Sequence, residues 1–416
     1  MIEKINKYLR GDRVIWGVII LLTLISLLAV YSSTGTIAYR YREGNTLYYF
    51  LRQGSFLIMG LLAIYVTHLI HYKYYSRLAQ IFIVIAIPLL VVTLLMGTSV
   101  NAAPRWLTVP VIGFTIQTSD FAKVAIIMYM ARILAMKQEQ IKNFKEAVLP
   151  LIVPLAIVCA LILPANFSTA FMIFVVGMIL MFIGRVAFKH LLFINLGGVV
   201  FVVLFIFLIP LTKTGLGYRV ETWKNRIENF VVGSKNSTDD DNYQAEQAKI
   251  AVATGGLLGK GPGNSTQRNF LPNPFSDFIY AIIIEEYGLI GGVIILLLYL
   301  ILLYRAGVIV RKCERTFPAF LTMGLTLLLV MQAMINMAVA VNLIPVTGQP
   351  LPLVSMGGSS ILFTSSALGI ILSVSRSVMP AENAPLIDDN TSDQQENIAN
   401  ENSKKQTIEN NEQTNK

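Results

Sequence analysis

The sequence predicts an all-α polytopic membrane protein, with about ten transmembrane helices and a long extracytoplasmic loop between the seventh and eighth. Three observations predict it. Hydrophobic residues make up 55% of the 416 and charged residues only 14%, at a mean hydropathy of +0.63, whereas a soluble domain carries about 25% charged residues. The apolar residues fall into runs of roughly 18 to 25, the length that crosses about 30 Å of hydrocarbon as a helix. Between the runs, Lys and Arg recur in every second short connection.

The runs place spans at 14–33, 50–70, 78–97, 118–136, 146–164, 168–184, 188–211, 276–304, 317–341 and 358–376. The first, Val14 to Ser33, is too long for a signal-peptide core and has no small-residue cleavage site, so it is expected to be retained. Lys4, Lys7, Arg10 and Arg13 precede it; Lys73 and Arg77, then Lys137, Lys142 and Lys145, then Arg185 and Lys189, then Arg305, Arg311, Lys312 and Arg315 fill alternate connections. This pattern puts residues 1–13 and both termini on the cytoplasmic side, against the two discordant charges Arg40 and Arg42. The membrane domain is expected to cover 14–380, and within it the segment 212–275 is too long for an ordinary connection. Residues 381–416, rich in Asn, Gln, Asp and Glu, have a composition that cannot bury enough apolar surface to fold, so a disordered cytoplasmic tail is expected.

The net charge of +9 does not indicate nucleic acid, because the basic residues lie in scattered short patches; anionic headgroups are the matching counter-charge. The two cysteines, Cys159 in an apolar run and Cys313 in a basic connection, predict no disulfide.

Ionisable groups at membrane depth mark functional sites or buried pairs. Asp120 and Lys123 share a helix face three residues apart and can pair. Asp277 follows the Gly-, Pro- and Asn-rich segment GKGPGNSTQRNFLPNPFS and stands where span eight starts, which fits a catalytic carboxylate or a helix N-cap, a role Ser276 could share. Glu286, nine residues on, should lie about 13 Å deeper on an unbroken helix. Glu285 and Glu286 are expected to hold neighbouring helices in register. GGLLGKGPGNST fails as a phosphate loop, since Thr254 holds the first Gly position and Gly261 follows Lys260. Asp239, Asp240 and Asp241 read as a solvated run, and His68, His71 and His190 lack metal-ligand spacing. The turn from Gly348 to Ser360, GQPLPLVSMGGSS, is irregular backbone at a span mouth, tolerated where it lines a cavity or packs on protein. It marks a candidate binding cleft that includes Gln349 and Ser355.

These segments together resemble the SEDS family of bacterial peptidoglycan-building membrane proteins. The resemblance rests on NAAPRW (101–106), QTSDFAK (117–123), YRVETWKNRIENF (218–230), YQAEQAKIAVATGGLLGKGPGNSTQ (243–267), LPNPFSDFIYAIIIEEYGLIGG (271–292) and PVTGQPLPLVSMGGSS (345–360), in that order. Within the family, the GNS-x-Q run beside the YR…NRI element is more like the division branch than the elongation branch.

The resemblance implies a glycosyltransferase that polymerises lipid II, the undecaprenyl-pyrophosphate disaccharide pentapeptide. In it the family's essential aspartate falls on Asp277, as the base for the acceptor 4-hydroxyl. It also implies positive charge for the departing pyrophosphate, from Arg105, Lys123, Arg219, Arg226 or Arg268, and a divalent cation, Mg or Mn, accompanying that group. A class B penicillin-binding transpeptidase and other division membrane proteins are the implied partners, and the division septum the implied location. Departures from the family pattern are Pro104 in place of a second Arg, Asp120 in place of Glu, Asn166 in place of an acid, and LPNPFSD without the usual Glu and His before the aspartate. A lipid II flippase and a non-catalytic transpeptidase scaffold are the competing functions. The first should show internal repeats with charge near the midplane, and the second has no need of Asp277.

Overall fold

The computed structural model describes residues 11–35, 39, 45–100, 103–108, 115–208, 222–224, 226, 228, 230 and 240–378. Ten apolar helices take the places of the expected spans: α1 (Arg13–Ser33), α2 (Thr46–Leu69), α3 (Tyr72–Met96), α4 (Thr118–Met136), α5 (Leu149–Ile162), α6 (Phe167–Ile183), α7 (Phe188–Leu208), α9 (Ile279–Arg311), α10 (Thr316–Ala340) and α11 (Gly358–Val378). Several starts are sharpened by capping side chains: Asp12 accepts from the Val14 and Ile15 amides, Asn45 from Tyr48 and Asn166 from Thr169. Asp12 also pairs with Arg305 at 2.5 Å, tying the start of α1 to the final turns of α9.

Burial sorts the helices into two shells. α4, α10 and α11 present long runs of buried residues and form the centre. α2, α3 and α7 turn large apolar side chains outward, among them Ile58, Leu62, Val84, Leu95, Phe193 and Leu196, as lipid-facing helices must. Close packing is set by small residues: at Gly369 on α11 any Cβ would meet Thr67 and the Ile64 carbonyl of α2.

Two elements lay outside the sequence expectation. A three-stranded antiparallel sheet, β1 (Thr98–Val100), β2 (Ala103–Thr108) and β3 (Thr115–Gln117), lies between α3 and α4. Within the connection read as loop, Asp240–Gly255 is helix α8. The expected tail, from residue 379 on, lies outside the described residues, and so do Arg219 and Asp239.

The expectation for span eight is corrected. α9 is broken at Gly288 (φ 71°, ψ −174°) into a buried half-helix, 279–287, and a span from 289 to 311 that still covers about 35 Å. At the break the helix exchanges its ladder for a loop. The carbonyls of Glu285 and Glu286, which an unbroken helix would satisfy from Leu289 and Ile290, accept instead from the Lys260 and Gly261 amides, both at 2.9 Å. The Leu289 and Ile290 amides turn to the Gly256 and Leu257 carbonyls at 2.9 and 3.4 Å. These four displaced backbone groups therefore keep partners.

Candidate active site at the loop face

The α4, α6 and α11 starts, the α10 end, the sheet and the seventh connection lie at one end of the bundle, the loop face. The chain from α10 to α11, residues 345–357, crosses it as an irregular strap in which Gln349 to Met356 are mostly buried. Buried irregular backbone must find partners from side chains, and here many of the strap's do. Gln332 donates to the Pro350 carbonyl at 2.9 Å, Asn336 to Gln349 at 2.7 Å, the Tyr299 hydroxyl to Pro352 at 2.5 Å, Ser26 to Val354 at 2.8 Å and Arg226 to Val346 at 3.3 Å.

Asp277 sits against this strap, half-buried. The preceding residues dock on it: Met356 N donates to the Phe275 carbonyl at 2.9 Å and the Ser355 hydroxyl to the Ser276 carbonyl at 2.6 Å, while Phe275 packs on Val30, Tyr49 and Met356. Asn336 spans the two segments with one amide group, donating to the Asp277 carbonyl at 2.8 Å as well as to Gln349. The Ser276 hydroxyl donates to Asp277 Oδ1 at 2.9 Å, and Asp277 Oδ2 faces Gly348, 3.6 Å from the place a Cβ would occupy. The N-cap expectation is corrected here: α9 is capped at Phe278 with no side-chain hydrogen bond, so neither Asp277 nor Ser276 serves as cap.

The other expected site residues divide into three groups. Gln349 and Ser355 belong to the strap, but their side chains face inward: Gln349 donates to Thr169 of α6, and Ser355 also accepts from the Leu351 amide at 2.8 Å. They position backbone instead of facing an open cleft. Lys123, 5% exposed, pairs with Asp120 at 2.7 Å and donates to Gln332 at 3.0 Å. Its charge is thus paired within the bundle, and it reaches the strap through Gln332. Arg105 donates to the Ala165 carbonyl at 2.8 Å and lines a small recess with Thr93, Gln117, Ser119 and Asn166.

The third group lies at the Gly288 break. Glu285 pairs with Lys260 at 2.6 Å and accepts from Ser265 at 2.5 Å, the Thr266 amide at 3.0 Å and the Gln267 amide at 3.2 Å. Glu286 accepts from Ser32 in the last turn of α1, and Arg268 donates to the Ser32 carbonyl at 2.8 Å, where a cation complements the helix C-terminus. The two glutamates fasten a loop more than they set helix register. Glu286 thus meets the last turn of α1, while the Asp277 carbonyl meets Asn336 near the end of α10.

Among the described residues no three His, Cys, Asp or Glu side chains converge. Sequence reasoning missed Gln332 and Asn336, although two amides four residues apart in the apolar run MQAMINM were a visible signal of a polar face.

Fold and site define a polytopic membrane protein that presents one half-buried carboxylate on a side-chain-pinned strap at one membrane face. The chain belongs to the cell cycle protein family of FtsW, RodA and SpoVE, which matches residues 12–379. It is 33% identical over 383 residues to the probable peptidoglycan glycosyltransferase FtsW of Trichlorobacter lovleyi, covering 90% of this chain and 96% of that protein. It is 31% identical over 378 residues to the stage V sporulation protein E of Bacillus subtilis, covering 89% and 98%. A chain of a peptidoglycan synthase complex, solved to show structural coordination of polymerization and crosslinking, superposes with a TM-score of 0.69 at 23% identity over 89% of this chain and 99% of that one. The rod shape determining protein RodA of Thermus thermophilus superposes with a TM-score of 0.60 at 23% identity, covering 88% and 97%.

Proposed function

We propose that this chain is a peptidoglycan glycosyltransferase that polymerises lipid II at the extracytoplasmic face of the bacterial inner membrane, in septal wall synthesis, with Asp277 as its general base. The observation that carries the reading is the environment of Asp277: a carboxylate not used as a helix cap, on backbone fastened to the strap, facing the side-chain-free edge at Gly348. In the reaction the acceptor 4-hydroxyl gives its proton to Asp277 as its oxygen bonds the anomeric carbon of the donor. The bond from that carbon to the pyrophosphate breaks, and the undecaprenyl pyrophosphate leaves. A fixed base within reach of the hydroxyl contributes about 10² to 10⁴-fold in rate. Arg226, which grips the Val346 carbonyl two residues from Gly348, and Arg105 are the described cations that we assign to the leaving group. A divalent cation, Mg or Mn, comes with the pyrophosphate as its companion.

The alternating basic connections support this orientation, and names such as glycosyltransferase among the relatives support the chemistry. A class B penicillin-binding transpeptidase is the expected partner, because the solved relative belongs to an assembly joining polymerization to crosslinking. Purified protein given lipid II, alone and with its transpeptidase, should yield glycan strands in the complex; lipid II left unpolymerised by a folded complex refutes the reading.

A further inference from the structure

Early in the seventh connection, Trp223 and Arg226 meet the elements around the strap. There Trp223, half-buried, lies 5.2 Å from Phe167 at an interplanar angle of 44°, and Phe167 stacks on Phe171 at 6.2 Å and 9°. Three residues on, Arg226 grips the Val346 carbonyl at 3.3 Å. Val346 and Gly348 are separated by at most about 7 Å of chain, and Gly348 faces the Asp277 carboxylate. On its other flank, Phe167 opens α6, whose Thr169 accepts from Gln349 of the same strap. An aromatic pair thus stands beside the strap against which the carboxylate rests, linked to it through Arg226 and Thr169.

We infer that Trp223 and Phe167 form a saccharide platform, which holds a pyranose of the glycan next to the sugar reacting at Asp277. This deepens the proposed polymerase reading and rests on it. A pyranose has one face of C–H bonds and a rim of hydroxyls; the electron-rich face of an aromatic ring accepts the first while leaving the second in water. Because stacking demands ring shape and not a particular hydroxyl pattern, it holds a repeating polymer while allowing it to advance. The competing role for Trp223 is an interfacial anchor seating the loop at headgroup level. An anchor needs apolar bulk, whereas a platform needs a ring, and this difference separates them.

Two substitutions test it on the purified full-length protein. Trp223→Leu, which keeps apolar bulk, should raise half-saturating lipid II about tenfold and shorten the strands, while Trp223→Phe stays within about threefold of wild type. Lipid-free GlcNAc–MurNAc tetrasaccharide should shift the tryptophan emission of the wild type and leave that of Trp223→Phe unchanged. Half-saturation unaltered in Trp223→Leu, or an emission shift produced by undecaprenyl phosphate and not by the tetrasaccharide, overturns the platform. If the wild type polymerises normally and these signals are missing, the platform alone fails. If the tetrasaccharide signal is present and lipid II is not polymerised, the platform stands and the polymerase reading fails.

Discussion

At the scale of single residues, the site centres on one acid, Asp277, whose Oδ1 accepts from Ser276. Asp277→Asn keeps the size of the side chain and its ability to accept from Ser276, yet removes the conjugate base, so lipid II polymerisation by a normally inserted complex should fall by about 10² to 10⁴-fold. Strand synthesis within about threefold of wild type would take the base role from Asp277. Asn336 gives a different signature, because its single amide group satisfies both the Asp277 and the Gln349 carbonyls. Asn336→Leu leaves two buried acceptors without that donor, at about 1–3 kcal/mol each. A lowered melting temperature together with a turnover loss of at least about tenfold is expected, and an unchanged melting temperature would show that the two carbonyls find other partners.

At the scale of elements, the broken helix and the loop that replaces its ladder act as one piece. Gly288 has positive φ, and a Cβ there would fall inside van der Waals contact of the Leu257 carbonyl, with Gly255 and Gly259 equally pressed against the half-helix. Gly288→Ala therefore meets backbone on both counts. Limited proteolysis should find the connection at 256–268 cut faster than in wild type, with polymerisation reduced; wild-type resistance would mean that the break tolerates a side chain. The spans were legible in the sequence because hydrocarbon selects for length and apolarity, which a linear reading measures directly. The break was not, since the partners that make it affordable, Gly256 to Gly261, come from a distant stretch of chain. Helix α8 carries no apolar stripe to announce it, and the sheet strands are too short to show an alternation. Asp277 was legible as a candidate, but whether it caps a helix is decided by how the strap docks on residues 275–277, a property of the fold and not of the local segment.

At the scale of the molecule, the orientation can be measured directly. A cysteine at Ser237, within the long connection, should react with an impermeant maleimide in intact spheroplasts; labelling only after lysis reverses the topology. The native thiols give little background: Cys159 and Cys313 are free, and burial pushes the Cys313 thiol up to about 11, so its thiolate is scarce at neutral pH. The pinned strap also governs how the molecule comes into being. The groups that fix it are gathered from α1, α6, α9 and α10, and the strap itself comes late, just before α11. During synthesis Asp277 leaves the ribosome well before the segment against which it rests. A nascent chain halted before residue 345 thus carries its carboxylate without that scaffold. The order of translation in this sense delays assembly of the site: the acid is made early and its seat late.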